Sequence, residues 1–122
     1  MTDRIFINGL SLHAYHGVMA YESKVGQTFT IDMMLEMDLS AAAKSDKVAD
    51  TVSYDRVVAC ASDVFCSQRY KLIEAAAGKV AEAVLAAFPV VRSIHVTIHK
   101  PHAPIAATFS DVGVTIVRSR KS

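Results

Sequence analysis

Two side chains of the 122-residue chain stand where a positioned charge could do chemistry. Glu74 falls in the opening turn of a segment whose following positions are almost all apolar, beside Leu72 and Ile73. A carboxylate there suits the positive end of a helix. The same placement would also let it grip a flat ligand presenting two adjacent N–H donors, as guanine-like and pterin rings do. Lys100 follows a strand-like alternation and precedes PHAPI at 101 to 105, where Pro101 and Pro104 limit backbone freedom. A lysine at a strand end is ordinarily solvated, but a rigid loop at a sheet end is also where positioned general acids and bases are found. Glu22, within HGVMAYESKVGQ at 16 to 27, is locally indistinguishable from a surface acid. Tyr54, after DTVS, serves as readily to pack a helix start as to stack on a ligand.

Other chemistries lack their signatures. The five glycines, at 9, 17, 26, 78 and 113, are too dispersed for GxGxxG or a P-loop, and neither CxxC nor GxSxG occurs. Histidines stand at 13, 16, 95, 99 and 102, and His13 with His16 could share a helical face. If His95 and His99 lie on one strand, they are about 13 Å apart, whereas zinc ligands each sit about 2 Å from their ion. They cannot share one, and no metal is expected. Cys60 and Cys66 read as buried, reduced thiols of one helix, where six residues advance about 600° and separate the side chains.

Composition narrows the partners. Thirteen Lys and Arg against twelve Asp and Glu leave a formal charge of +1, so no basic field draws in nucleic acid or anionic lipid. With 52% hydrophobic and 20% charged residues the chain can bury a core, and residues 1–122 read as a single domain. MTDRIFINGL lacks the pattern of a secretory signal, and Glu74, Lys79, Glu82 and Pro89 interrupt the apolar stretch 72 to 91. A soluble, cytoplasmic protein with no membrane partner is the expectation.

The elements that must carry these residues follow from periodicity. Residues 3 to 9 read as a short strand with Gly9 a bulge. From Gln27 to Leu39 the residues Phe29, Ile31, Met33, Leu35, Met37 and Leu39 face one side, while Thr28, Thr30, Asp32, Glu36 and Asp38 face the other, with Met34 the exception. Residues 40 to 50 read as a connector. A helix from about Tyr54 to Ser67, N-capped by Ser53, sets Val57, Ala61, Val64 and Phe65 at helical spacing. A second, from about Lys71 to Phe88, carries Leu72, Ile73, Ala76, Val80, Ala83, Val84 and Ala87 and stops at Pro89. Ile94, Val96 and Ile98 alternate in the next strand, and Val112, Val114 and Ile116 in the last. The order strand, strand, helix, helix, strand, strand (ββααββ) predicts an α+β domain: an antiparallel sheet, helices on one face, and a second face that is wet or meets something polar. Exposed edge strands suggest self-association.

Taken together, these segments resemble the dihydroneopterin aldolase family. The resemblance rests on YHGV at 15 to 18, Glu22, GQ at 26 and 27, SDKVADTVSY at 45 to 54, LIEAAA at 72 to 77, HKPHAPI at 99 to 105 and DVGVTIVR at 111 to 118. It implies the tunnelling fold, a four-stranded antiparallel sheet with two helices whose copies join into a barrel, two rings of four stacking as a homo-octamer. It also implies sites between subunits, with Tyr54 coming from a neighbour of the subunit that supplies Glu74 and Lys100. By the same resemblance Glu74 anchors the aminopyrimidinone edge of a pterin, backbone groups around Val52 and Ile73 assist, Tyr54 packs on the ring and helps control protonation, Glu22 addresses the trihydroxypropyl tail, and Lys100 is the general acid/base.

The activity so implied is an aldehyde-lyase reaction of folate biosynthesis that needs no metal or cofactor. 7,8-Dihydroneopterin is cleaved to 6-hydroxymethyl-7,8-dihydropterin and glycolaldehyde, with epimerisation as a side reaction. Departures from the family pattern are small: Ile73 stands where leucine is common, and Ala106, Ala107 and Thr108 follow PHAPI without a family signature. Three alternatives stay open: a pterin epimerase of the same fold, disfavoured by KPHAPI and HGV; a zinc-dependent enzyme such as a pyruvoyl-tetrahydropterin synthase, disfavoured by the missing HxH pair; and a non-catalytic pterin-binding protein.

Overall fold

The computed structural model describes residues 3–120. In chain order these form β1 (Asp3–Ala14), the one-turn helix α1 (Glu22–Val25), β2 (Gln27–Met37), α2 (Ser40–Ser45), a 3-10 turn (Val48–Asp50), α3 (Tyr54–Cys66), α4 (Ile73–Ala87), β3 (Ser93–His99) and β4 (Gly113–Ser119). The strands make one antiparallel sheet in the order β1-β2-β3-β4. The ββααββ order expected from periodicity is therefore incomplete, since α1, α2 and the 3-10 turn are added within the connections. Each is too short to display a period and is closed by local bonds, such as Lys24 N–H to the Tyr21 carbonyl at 3.1 Å.

β2 is the spine of the core. Phe29, Ile31, Met33, Leu35 and Met37 are all buried on its helix side, each worth about 1.5–3 kcal/mol as an upper estimate. Leu39, expected to extend this face, lies beyond the strand and is only half-buried. β1 runs to Ala14 rather than ending at residue 9. Gly9, at φ 77, sits in a register shift between Ile7 and Leu10. The extra residue keeps Leu10 and Leu12 on the same face as Ile5 and Ile7, where strict alternation would have turned them outward.

α3 buries Val57, Ala61 and Phe65, and α4 buries Ile73, Ala76, Ala77, Val80, Ala81 and Val84; together with Ile94, Val96 and Ile98 of β3 they complete one core. Leu72 leaves the expected stripe, because it occupies the exposed position before α4, and Ala87 is exposed at the far end. Ser53 does precede α3, but its hydroxyl donates to Asp55 instead of accepting a helix N–H. Cys60 is half-buried and Cys66, the last residue of α3, is exposed, which corrects the expectation of two buried thiols; both are free. No helix among the described residues is long and apolar enough to cross a membrane.

Candidate active site

Lys100 emerges from the end of β3 and turns onto the helix side of the sheet, with its ammonium 5.9 Å from the centre of the Phe29 ring. There it meets Glu22 of α1, Nζ to Oε2 at 2.8 Å, with side chains 11% and 4% exposed respectively. The other carboxylate oxygen, Oε1, accepts the Met19 N–H at 3.0 Å. The acid that looked like an ordinary surface residue is thus the buried half of an ion pair.

Glu22 is buried because the preceding loop is folded around it. A Cβ on Gly17 would overlap the Glu22 carboxylate, and Gly17 adopts φ 145, a conformation that side chains rarely take. Arg69, in the α3–α4 connection, donates from Nε to the Tyr15 carbonyl at 3.0 Å and from its terminal nitrogen to the carbonyls of Gly17 and, at 3.4 Å, Met19. His16 is buried between Phe29, Phe65 and Tyr70. Its Nδ1 accepts the Tyr70 N–H at 3.0 Å, so the proton resides on Nε2 and is donated to the Phe65 carbonyl at 2.8 Å. Burial holds its pKa below the ordinary value, and the positive charges of Lys100 and Arg69 add to this against the Phe65 hydrogen bond. His16 is therefore a neutral structural brace, and His13 lies in β1, so the two do not share a helical face. Nothing local marks Arg69 as important; its role comes from carbonyls 50 to 54 residues away.

Glu22 and Lys100 line a cleft of about 240 Å³ together with Ile73 and Glu74, with Val18, Met19, Pro104 and Ile105 as apolar walls. Glu74 is exposed in the first turn of α4. The first hydrogen bonds of that helix run from Ala75 and Ala76 to the Leu72 carbonyl, so the N–H groups of Ile73 and Glu74 have no partner within it. A carboxylate acceptor and free N–H donors sharing a cleft with an amine and a buried carboxylate can hold a flat polar ring while protons are exchanged with its substituent.

Val52 and Tyr54 are not in this cleft. They line a separate, mostly apolar one with Ile5, Leu39, Ala42, Ala43 and Thr51, where Tyr54 is 66% exposed. A third cleft, about 360 Å³, lies among His13, Tyr15, His16, Cys66, Gln68 and Arg69. The Arg69 and His16 donors there are already engaged with the chain's own carbonyls. Of the remaining histidines, His95 pairs with Glu36 at 3.2 Å and His99 lies between Asp32 and Asp111. No group of three His, Cys, Asp or Glu side chains among the described residues is arranged to hold a metal ion.

Comparison with known proteins gives a consistent picture. The sequence model of one family, described as FolB, dihydroneopterin aldolase, matches residues 5–117. The chain is 43% identical over 120 residues to a dihydroneopterin aldolase of Methylorubrum extorquens, covering 98% of this chain and 92% of that one. It is 39% identical over 118 residues to one of Staphylococcus epidermidis, covering 97% and 98%. The fold superposes on the crystal structure of E. coli dihydroneopterin aldolase in complex with neopterin with a TM-score of 0.83 at 34% identity, covering 96% of this chain and 99% of that one.

Proposed function

The chain belongs to the dihydroneopterin aldolase family, and we propose that Lys100 and Glu22 move the protons of that family's reaction while Glu74 holds the ring. The protein is a dihydroneopterin aldolase, an aldehyde-lyase of folate biosynthesis. What needs assigning is the part each side chain takes.

The observation that carries the assignment is the 2.8 Å contact between the Lys100 ammonium and Glu22, in the same cleft as Glu74. Glu74 and the free N–H groups of Ile73 and Glu74 address the aminopyrimidinone edge, which leaves the trihydroxypropyl tail of 7,8-dihydroneopterin at the charged pair. Loss of the proton from the hydroxyl on the second tail carbon breaks the bond to the first, and the second carbon departs as the carbonyl of glycolaldehyde. The bonding pair flows into the ring C=N, whose nitrogen takes up a proton to give an enamine. Protonation of the first tail carbon, with loss of the proton from the ring nitrogen, then restores the C=N and yields 6-hydroxymethyl-7,8-dihydropterin. The ring is the electron sink, so Lys100 forms no Schiff base; it and Glu22 exchange protons and fix geometry. Re-addition of the aldehyde to its other face would give the epimer.

Tyr54 and Val52 enter from a second copy. Their exposed cleft is apolar and lies apart from Lys100 within one chain, as an inter-subunit site requires. The tunnelling-fold barrel and the octamer belong to the same proposal, as does a cytoplasmic location.

The test is incubation of the full chain with 7,8-dihydroneopterin in chelator, with product identification, beside Lys100→Ala. Glycolaldehyde release should persist in chelator and fall about 10²–10⁴-fold in the variant. An unchanged variant rate overturns the role of Lys100. Conversion to an epimer alone favours the epimerase, and binding without turnover favours a carrier.

A further inference from the structure

His99 holds two carboxylates at once. Its Nε2 lies 2.7 Å from Asp32 Oδ2 of β2, and its Nδ1 lies 2.6 Å from Asp111 Oδ2, just before β4. An imidazole can satisfy two carboxylates only by donating from both nitrogens, so the ring is an imidazolium. The hydrogen bonds to Asp32 and then Asp111 raise its pKa above the ordinary value against some desolvation. Burial disfavours the Asp32 charge, but the Gly9 N–H at 2.8 Å and His99 outweigh it and hold that carboxyl below the usual range. The chain Gly9, Asp32, His99, Asp111 thus links β1, β2, β3 and the entry to β4 on the polar face.

This clamp closes on the backbone of Lys100. Asp111 uses Oδ2 for His99 and Oδ1 to accept the Val112 N–H at 2.9 Å. The Val112 carbonyl in turn accepts the Lys100 N–H at 2.6 Å. One carboxylate therefore braces both the residue before Lys100 and the residue that receives its N–H. Successive strand residues point to opposite faces, so the clamp acts from behind the sheet while the ammonium reaches Glu22 on the helix side.

We propose that His99, held between Asp32 and Asp111, is a positioning residue that fixes Lys100 at its working distance from Glu22. The inference rests on Lys100 as the proton-transfer residue. No other titratable side chain meets the ring among the described residues: His95, four residues back on the same face, is engaged with Glu36, and Thr30 and Gly113 are the strand partners of His99. Since the folded pKa of His99 is raised, the doubly donating ring is fully present below its ordinary value and is lost as pH rises through the raised one. A neutral ring keeps one N–H and must release one carboxylate.

Steady-state turnover of 7,8-dihydroneopterin by wild type, His99→Ala, His99→Arg and Lys100→Ala across pH tests this. In His99→Ala kcat should fall about ten- to hundred-fold with KM nearly unchanged, as misplacement of a reacting group does. His99→Arg, which keeps a cation with several N–H donors, should recover most of kcat and hold it to higher pH than wild type. A folded His99→Ala with wild-type kcat and pH profile overturns the proposal, and so does His99→Arg no better than His99→Ala. If His99→Ala does not fold, Asp111→Asn should move the alkaline fall to lower pH; an unmoved profile is again fatal. Lys100→Ala separates the two levels: if it retains the rate, the proton-transfer reading fails, whereas if only it is inactive the clamp alone fails.

Discussion

Gly17 and Glu22 contend for one volume: a Cβ on residue 17 would lie on the Glu22 carboxylate, and the φ of 145 at Gly17 is itself hard for any other residue. Gly17→Ala should therefore push the carboxylate off Lys100 and cost about 1–3 kcal/mol of stability. The two effects separate in a double-mutant cycle. Adding Gly17→Ala to a Glu22→Ala background should cost less stability than adding it to wild type, because only the backbone strain remains. Equal costs by chemical denaturation would show that the carboxylate and the glycine are independent.

Glu74 is exposed and makes no ion pair among the described residues. Glu74→Ala should leave the melting temperature within the range of a surface change, roughly ±0.5 kcal/mol. Pterin binding should weaken by about 1.5–3 kcal/mol, the worth of hydrogen bonds to a charged group. Ligand titration followed by fluorescence reads the second, and a thermal melt reads the first. A variant that unfolds with unchanged affinity would make Glu74 a helix-stabilising residue only.

His16 gives an acid limb to stability. Its folded pKa is lowered from 6.5, chiefly by burial, so as pH falls below that value the unfolded chain takes up a proton that the folded chain refuses. Stability contributed by the neutral ring is present above 6.5 and drains away toward the lowered folded value. Urea unfolding of wild type and His16→Asn at stepped pH should show the variant weaker at neutral pH but flatter on acidification. Parallel slopes would place the acid sensitivity elsewhere.

Tyr54 and Lys100 should complement between chains. Tyr54→Ala and Lys100→Ala, each of low activity alone, should regain part of the wild-type rate when the two are dissociated, mixed and reassembled. Only a hybrid contact then offers an intact tyrosine to an intact lysine. No recovery, with mixed assemblies demonstrated by mass, would mean that both residues serve one chain's site.

How far these features were legible in the sequence depends on the range of the forces that set them. The β2 face from Phe29 to Met37 was readable because burial on one side imposes a period of two that no other element mimics. Pro89 likewise announced the end of α4. The burial of Glu22 was not readable, because nothing in ESKV differs from a solvated turn; it is created by Gly17, five positions back, and by Arg69. The same holds for His99. Alternation put Asp32 and His99 on one face of the sheet, but their meeting depends on a strand register and a loop return that periodicity does not encode.

The Arg69 side chain has a consequence of its own. The carbonyls of the segment from Tyr15 to Met19 are gripped by one planar group of the α3–α4 connection, beside the bonds that His16 and the Gly17 N–H make to Tyr70. Loss of that one guanidinium would release three carbonyls together, leaving the span to His16 and the Gly17 N–H on Tyr70 and loosening the seat of the reactive acid. Drift at position 69 could thus silence the enzyme from outside its pocket, leaving every residue that meets the pterin intact.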